Sequence, residues 1–413
     1  MHMVVIAPTR VANFPAGGGH FWVYMQYVQG FLQNGCEVYW LEKFESTGDL
    51  DKDRALCEHL RQRLDVFGLA DRLLIYEETK SRQAAMAGAR SPKPNAQASR
   101  GSADGDLSAE DAGGLPYTFL NVPASRGEAV CKSADLLLNF RYDMGAAILS
   151  LFRRTALVDI DPGLLQYWMS AGRITVFPHD HYFTIGETVG TEQAGFPDCG
   201  LPWMHIRPPV ALDLWPVVRA PRHAAFTTVS GWSGEEWVQD GSTIFENTKR
   251  ASFLRFIDLP RLTRAALELA LDLSSADPDA SERDLLRSHG WQVRAAREVA
   301  ASPELYREYI QSSRGEFGCA KPFHVLKRTG WISDRTVCYL ASGKPVVIQD
   351  TGSKRLIAAG EGLMCVSNSA EAATAIESVR EHFDAHCAAA RDIAATWFDS
   401  RRILDLILGR ALQ

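Results

Sequence analysis

The sequence predicts an α/β protein of two domains, each built on a doubly wound parallel sheet, facing each other across a cleft. Three observations lead there. Short apolar, β-branched runs alternate with helical patterns through both halves of the chain. A proline-dense stretch, 208–221, separates the halves. The length, 413 residues, exceeds what one ordinary core fills.

In the first half, "VVIA" (4–7) is the kind of run buried in parallel sheets. The glycines and histidine "GGGH" (17–20) follow, and then Phe21, Tyr24, Val28, Phe31 and Leu32 recur at helical spacing until Gly35 stops the helix. "CEVYWLE" (36–42) is the next strand, which makes a βαβ unit and puts the glycines at the C-terminal end of strand one. Ligands of open α/β sheets bind at that edge. Residues 80–115 are rich in Ala, Ser, Gly and Pro and read as a disordered insertion. "ADLLLNF" (134–140) and "TALVDIDP" (155–162) are strand-like, and "RITVFPHDHYFTIGETVG" (173–190) follows the same plan, with "ITVF" as strand and His179, Asp180 and His181 at its C-terminal end.

The second half opens with the strand "AFTTVSGW" (225–232). "LPRLTRAALELALDL" (259–273) reads as a helix, "WQVRAAREVA" (291–300) holds a strand, and "SPELYREYIQSS" (302–313) is a helix with a serine cap. "DRTVCYLASG" (334–343) is a helix stopped by Gly343; it feeds the strand "KPVVIQD" (344–350), and "GLMCV" (362–366) is the next strand. Two helical segments, 369–383 and 399–412, follow.

Composition narrows the function class. Hydrophobic residues are 46% and charged ones 23%, and the net charge of −6 offers no general attraction to nucleic acid, so no nucleic-acid partner is expected. No apolar run approaches the roughly 20 residues of a membrane span. "MHMVVIAPTR" lacks the features of a signal peptide. The eight cysteines form no C-x-x-C pair, which argues against a zinc site and a disulfide framework. A reduced, cytoplasmic protein is expected, of unspecified oligomeric state.

Several stretches taken together resemble the GT-B superfamily of Leloir-type, nucleotide-sugar-dependent glycosyltransferases. "RPPVALDLWP" resembles its domain junction, "DRTVCYLASGKPVVIQDTG" its donor-site helix, loop and strand, "SSRGEFGCAK" its donor-site glutamate loop, and "GGGH" its acceptor loop. The resemblance implies the GT-B fold, two Rossmann-like domains: 1–207 for the acceptor, a linker at 208–221, 222–398 for the nucleotide sugar, and a helix over 399–413 that crosses back. It implies transfer of a sugar from a nucleoside diphosphate sugar, a co-substrate, to a small natural product or glycan, with no tightly bound cofactor and no metal. Two departures stand out. Cys338 falls where many retaining members carry a ribose-binding glutamate, and "GWISDRT" (330–336) lacks the His-Gly-Gly signature of the natural-product subgroup. A sugar-nucleotide epimerase and a non-catalytic binding protein share the architecture.

Candidate residues follow, each with an ordinary structural role beside the functional one. Ser333, Arg335 and Thr336 open a helix whose N-terminus suits a diphosphate, or is simply capped. Lys249 and Lys321 are candidate cations for the leaving nucleotide, or solvated surface lysines. Glu316 is a candidate for the donor loop; Asp350 and Thr351 end a strand facing the donor sugar, where Asp350 also suits an Asx turn. The resemblance makes His20 a general base, against a packing role. Gly18 and Gly19 would let a substrate approach the backbone, and Phe21 and Trp22 would line the acceptor surface. His179 and His181 would contact the acceptor. Glu187 is a candidate to orient the base, and Asp159 and Asp161 are acidic groups at equivalent strand ends.

Overall fold

A computed structural model describes residues 1–78, 116–232, 236–273, 277–353 and 360–413. The expected insertion at 80–115 lies outside them. The described first half carries β1 (Met3–Ala7), β2 (Glu37–Lys43), β3 (Leu73–Glu78), β4 (Tyr117–Phe119), β5 (Leu136–Asn139), β6 (Thr155–Asp159), β7 (His181–Thr184) and β8 (Trp203–His205). They form one sheet in the order β4-β3-β2-β1-β5-β6-β7-β8, parallel except for the antiparallel β3–β4 pair. β1 pairs with both β2 and β5, so the winding reverses there and a crevice opens beyond the two strand ends. The central strands are mostly apolar and buried on both faces because helices cover both sides: Leu136–Asn139 and Thr155–Asp159 are wholly buried, polar end residues included.

The second half holds β9 (Phe226–Gly231), a hairpin of β10 (Trp237–Asp240) and β11 (Thr243–Glu246), then β12 (Leu267–Asp272), β13 (Gln292–Ala295), β14 (Gly315–Gly318), β15 (Val346–Gln349) and β16 (Leu363–Val366). Apart from the hairpin they form a parallel sheet, β13-β12-β9-β14-β15-β16, with the reversal between β9 and β14. The helix expected over 259–273 is corrected. Only Leu259–Leu262 is helical, and "LELALD" is β12, because pairing with β9 on one side and β13 on the other outweighs its helix-forming residues. "ITVF" (174–177) is not a strand; the strand begins at His181.

Two sets of contacts join the halves. The helix Gly18–Gln33 runs against the helix Pro303–Ser312, with Gly18 on the Ser302 carbonyl and Gly19 on the Tyr306 ring. Trp22 Nε1 donates to the Pro303 carbonyl at 2.8 Å. Its far end packs beneath the helix Ser400–Ala411, where Gly30 lies against Leu404 and the Ser400 carbonyl. The second set lies across the cleft. Val238 and Phe245 of the hairpin share a small core with Leu164, Tyr167 and Phe196 from the first half and Phe323 from the second. Thr188 Oγ1 donates to the Arg328 carbonyl at 2.9 Å.

Candidate functional site

The crevice of the second sheet is built around Arg335. The helix Asp334–Ala341 is capped by Ser333, whose Oγ accepts from the Arg335 N–H at 3.2 Å. The Arg335 side chain then reaches back under the sheet. Nε donates to Glu316 Oε1 at 2.7 Å and Nη1 to the Val229 carbonyl at 2.8 Å, so one guanidinium ties this helix to β14 and β9 where the winding reverses. Against the desolvation of burial, the Glu316 carboxylate raises the Arg335 pKa and keeps it charged. Glu316 was expected in a loop; it lies within β14, is fully buried, and its Oε2 has no partner.

Lys249 begins the helix Lys249–Leu254 and lies behind Cys319 and Trp331 of the crevice wall. Its Nζ donates to the Cys319 carbonyl at 2.5 Å and lies 4.6 Å from the centroid of the Trp331 ring. Desolvation by burial, with Arg335 close by, lowers its pKa to about 7. Trp331 also stacks on His324, with centroids 4.7 Å apart and planes within 8°. Lys321 differs from Lys249 in being neutralised: it pairs with Glu236 at 2.9 Å and with Asp161, from the first half, at 3.5 Å.

A narrow crevice opens here, lined by Gly318, Cys319, Ala320, Trp331, Ile332, Ser333, Arg335, Thr336, Ile348, Gln349 and Thr351. Thr351 Oγ1 donates to the Trp331 carbonyl at 2.7 Å and fixes that wall. Asp350 makes the Asx turn, accepting from the Gly352 N–H at 2.9 Å, with Arg328 at 4.0 Å. Cys338 faces away from this pocket. It is buried under the first half, where its sulfur accepts from Gln26 Nε2 at 3.6 Å.

The first-half candidates scatter. His20 is half-buried in the first turn of Gly18–Gln33, between the rings of Phe14 and Tyr24, with Nε2 2.6 Å from the Thr9 carbonyl. A carbonyl only accepts, so Nε2 carries the proton and Nδ1 is the basic nitrogen. Desolvation lowers the His20 pKa, and the Thr9 carbonyl opposes this in part. Gly18 and Gly19 admit the second half of the chain rather than a ligand, and Phe21 and Trp22 are core residues, at 0% and 2% exposure, rather than an acceptor surface. Glu187 is held by Arg207, 2.5 and 3.2 Å from Nε and Nη2, and does not contact His20. His179 and His181 were expected after a strand. His179 precedes β7 and His181 opens it, and His179 is engaged by the Phe177 carbonyl and Asn139.

Three residues escaped the sequence reading or gained partners it did not show. Asp161 bridges the halves, its Oδ1 3.3 Å from His324 Nε2, and although burial acts upward, Lys321 and His324 hold its pKa down at about 2. Glu42, fully buried at the end of β2, accepts from the Ala12 N–H and Trp40 Nε1, both at 2.9 Å, and anchors the loop that carries Thr9. Burial raises its pKa to about 7. His324 had no motif around it. Among the described residues, no group of three His, Cys, Asp or Glu side chains is arranged to hold a metal ion, and no helix is long and apolar enough to cross a membrane.

The whole arrangement, two reversing parallel sheets edge to edge across a cleft, superimposes on known structures over nearly its full length. Alpha-glucosyltransferase (AGT) in complex with UDP aligns with a TM-score of 0.57 and 10% identity, covering 100% of both chains. The chain has the GT-B fold. HepE from Anabaena in complex with UDP, another GT-B protein, aligns at 0.54 and 12% identity, covering 99% of each chain. Sucrose-phosphate synthase from Thermosynechococcus elongatus aligns at 0.51 and 10%, covering 99% of this chain and 98% of that one. No protein-family model and no curated protein matches the sequence. The expectation of no nucleic-acid partner is overturned. Alpha-glucosyltransferase has also been solved with UDP-glucose and DNA containing an abasic site, at a TM-score of 0.57 to this chain, so a GT-B framework accommodates DNA.

Proposed function

We propose that this GT-B protein transfers a glycosyl group from a nucleoside diphosphate sugar, as co-substrate and without a tightly bound cofactor, to an acceptor hydroxyl or amine. Lys249 carries this reading: an ammonium with no carboxylate partner, held against two walls of a pocket at the reversal of a doubly wound sheet. The N-terminus of Asp334–Ala341 offers free N–H groups, and Thr336 adds a hydroxyl. A leaving nucleotide gains negative charge in the transition state, so a fixed cation there lowers the barrier. The fold neighbours solved with UDP support a nucleotide at the crevice.

The acceptor binds on the first domain, at the crevice beyond β1 and β5. His20 takes the acceptor proton on Nδ1 while its Nε2–H stays on the Thr9 carbonyl. That partner is uncharged, so it orients the ring without raising its basicity as a carboxylate would. Glu187, engaged by Arg207, has no proton-transfer part in this scheme.

Thermal unfolding with UDP, dTDP, GDP and ADP tests the donor site. A cognate nucleotide at 100 times its Kd adds about 2.7 kcal/mol. Nucleotide release from the matching sugar donor is then measured with glycan, small-molecule and DNA acceptors. Release that requires an acceptor supports transfer, turnover without one supports an epimerase, and no shift from any nucleotide removes the donor site.

A further inference from the structure

The segment from Lys321 to Trp331 belongs to the second domain by sequence, yet the first domain holds it along its length. Asp161 reaches Lys321 at 3.5 Å and His324 at 3.3 Å. Gly163 packs so closely here that a Cβ on it would come within 2.8 Å of both Phe323 and Thr329. Thr188 Oγ1 donates to the Arg328 carbonyl at 2.9 Å, and Gly330 lies against the Glu187 backbone. The next residue, Trp331, is already a wall of the donor crevice.

His324 joins the first-domain contacts to that wall. It is 2% exposed, in the short helix Pro322–Lys327. Its Nε2 faces Asp161, and because a carboxylate only accepts, that nitrogen carries a proton. Its Nδ1 is 3.0 Å from Thr329 Oγ1. Partners at both ring nitrogens fix the plane of the ring. That plane lies on the indole of Trp331, with centroids 4.7 Å apart and 8° from parallel. Thr351 holds the Trp331 carbonyl, so His324 and Thr351 between them set where this wall stands.

We propose that Asp161 is a positioning residue for the donor: it orients His324, His324 holds Trp331, and the first domain thereby sets the affinity of a crevice lined by the second domain alone. This rests on the donor-site reading above.

The physical reason is the cost of a buried donor without an acceptor. Without Asp161, the Nε2–H of His324 has to turn toward another partner. A turn of the ring breaks its parallel stack with Trp331 and frees that wall to shift. Lys321 responds differently, because it keeps Glu236 at 2.9 Å when Asp161 is lost. Loss of Asp161 therefore changes geometry at His324 and only charge balance at Lys321, and the two effects can be separated.

Binding of UDP-, dTDP-, GDP- and ADP-glucose is measured by calorimetry, with folding of each variant checked by circular dichroism. Asp161→Ala should weaken the sugar nucleotide that the wild type prefers by about 3- to 30-fold. Asp161→Asn keeps an acceptor oxygen for Nε2–H and removes the charge, and should bind as the wild type does. His324→Phe keeps a flat ring but loses the tether; it should weaken binding to the same degree as Asp161→Ala. The double variant should be no weaker than either single one, because both act along one route. Trp22→Phe, which removes the hydrogen bond to the Pro303 carbonyl elsewhere between the domains, should leave the affinity unchanged.

Four results would overturn the proposal while leaving the donor site standing. They are wild-type affinity in Asp161→Ala, equal losses in Asp161→Ala and Asp161→Asn, multiplying losses in the double variant, and an equal loss in Trp22→Phe. The second would assign the effect to charge at Lys321 and the last to general loosening of the domains. If His324→Phe does not fold, the comparison of Asp161→Ala with Asp161→Asn decides alone. If none of the four sugar nucleotides binds the wild type, the donor-site reading falls and the inference with it.

Discussion

Glu316 and Arg335 meet at 2.7 Å in the interior of the second domain, and one oxygen of that carboxylate has no other partner. The pair joins β14 to the helix that would receive the donor, so its loss affects stability before binding. Glu316→Ala leaves a buried guanidinium without its counter-charge and should cost about 3–5 kcal/mol. Glu316→Gln keeps an acceptor oxygen for Arg335 and should cost less, about 1–2 kcal/mol. Urea unfolding followed by circular dichroism separates the two.

Gly18→Ala places a methyl group on the Ser302 carbonyl, backbone that cannot move aside cheaply. The helix Gly18–Gln33 should shift off the second domain, at a cost of about 1–3 kcal/mol. Gly409, in the helix Ser400–Ala411, has nothing within 4 Å, and Gly409→Ala should stabilise by up to about 1 kcal/mol. Equal effects from the two substitutions would contradict the interdomain packing described above.

Asp161 makes a cross-domain contact that depends on acid. Its pKa is held down at about 2 against an ordinary value near 3.9, so its contribution is full above pH 4 and is lost as pH falls toward 2. The loss should be on the order of 2 kcal/mol. Asp161→Asn should lower stability at pH 7 and flatten this acid limb, as urea midpoints across pH 2–5 would show.

Glu42 and Asp159 act in the opposite direction. Burial raises them to about 7 and about 6, so between pH 4 and 7 the folded chain binds more protons than the unfolded one. Stability should therefore decline as pH rises through that window. Glu42→Gln should remove part of the slope, and it also sets an amide N–H against the Ala12 N–H or Trp40 Nε1, which leaves one of those donors without its acceptor.

Much of the framework was legible because it is buried on both faces. "VVIA", "LLLN" and "VVIQ" are continuous apolar runs that only a covered parallel sheet explains. "LELALD" was misread as helix because its residues favour helices, and the pairing partners that decide the matter lie about 25 to 40 residues away in the chain. "ITVF" failed the other way, having β-branched residues but no neighbouring strand. Ser333, Arg335, Thr336 and Thr351 could be grouped because they follow one another along a single helix–strand unit, and they do line one crevice. The contacts of Asp161 with Lys321 and His324 join residues about 160 positions apart, and no local spacing announces such a pair. Phe21 and Trp22 were assigned to a ligand because aromatic residues beside glycines look exposed in one dimension; Phe21 is buried against Trp40 and Phe67 of its own half, and Trp22 against Phe67 and Pro303 of the second half.

The chain passes between the two sheets twice, once between β8 and β9 and once near Asp399, and the two passages touch. Val210 N–H donates to the Phe398 carbonyl at 2.7 Å and Ser400 N–H to the Val210 carbonyl at 3.0 Å. Two neighbouring crossings, stapled to each other, behave as a door hinge rather than a tether. Twisting and sliding of one domain over the other strain the staple, whereas swinging about the line through it does not. Any opening of the cleft is therefore confined to one angular coordinate, with the hairpin and Asp161 contacts at the free edge of the door.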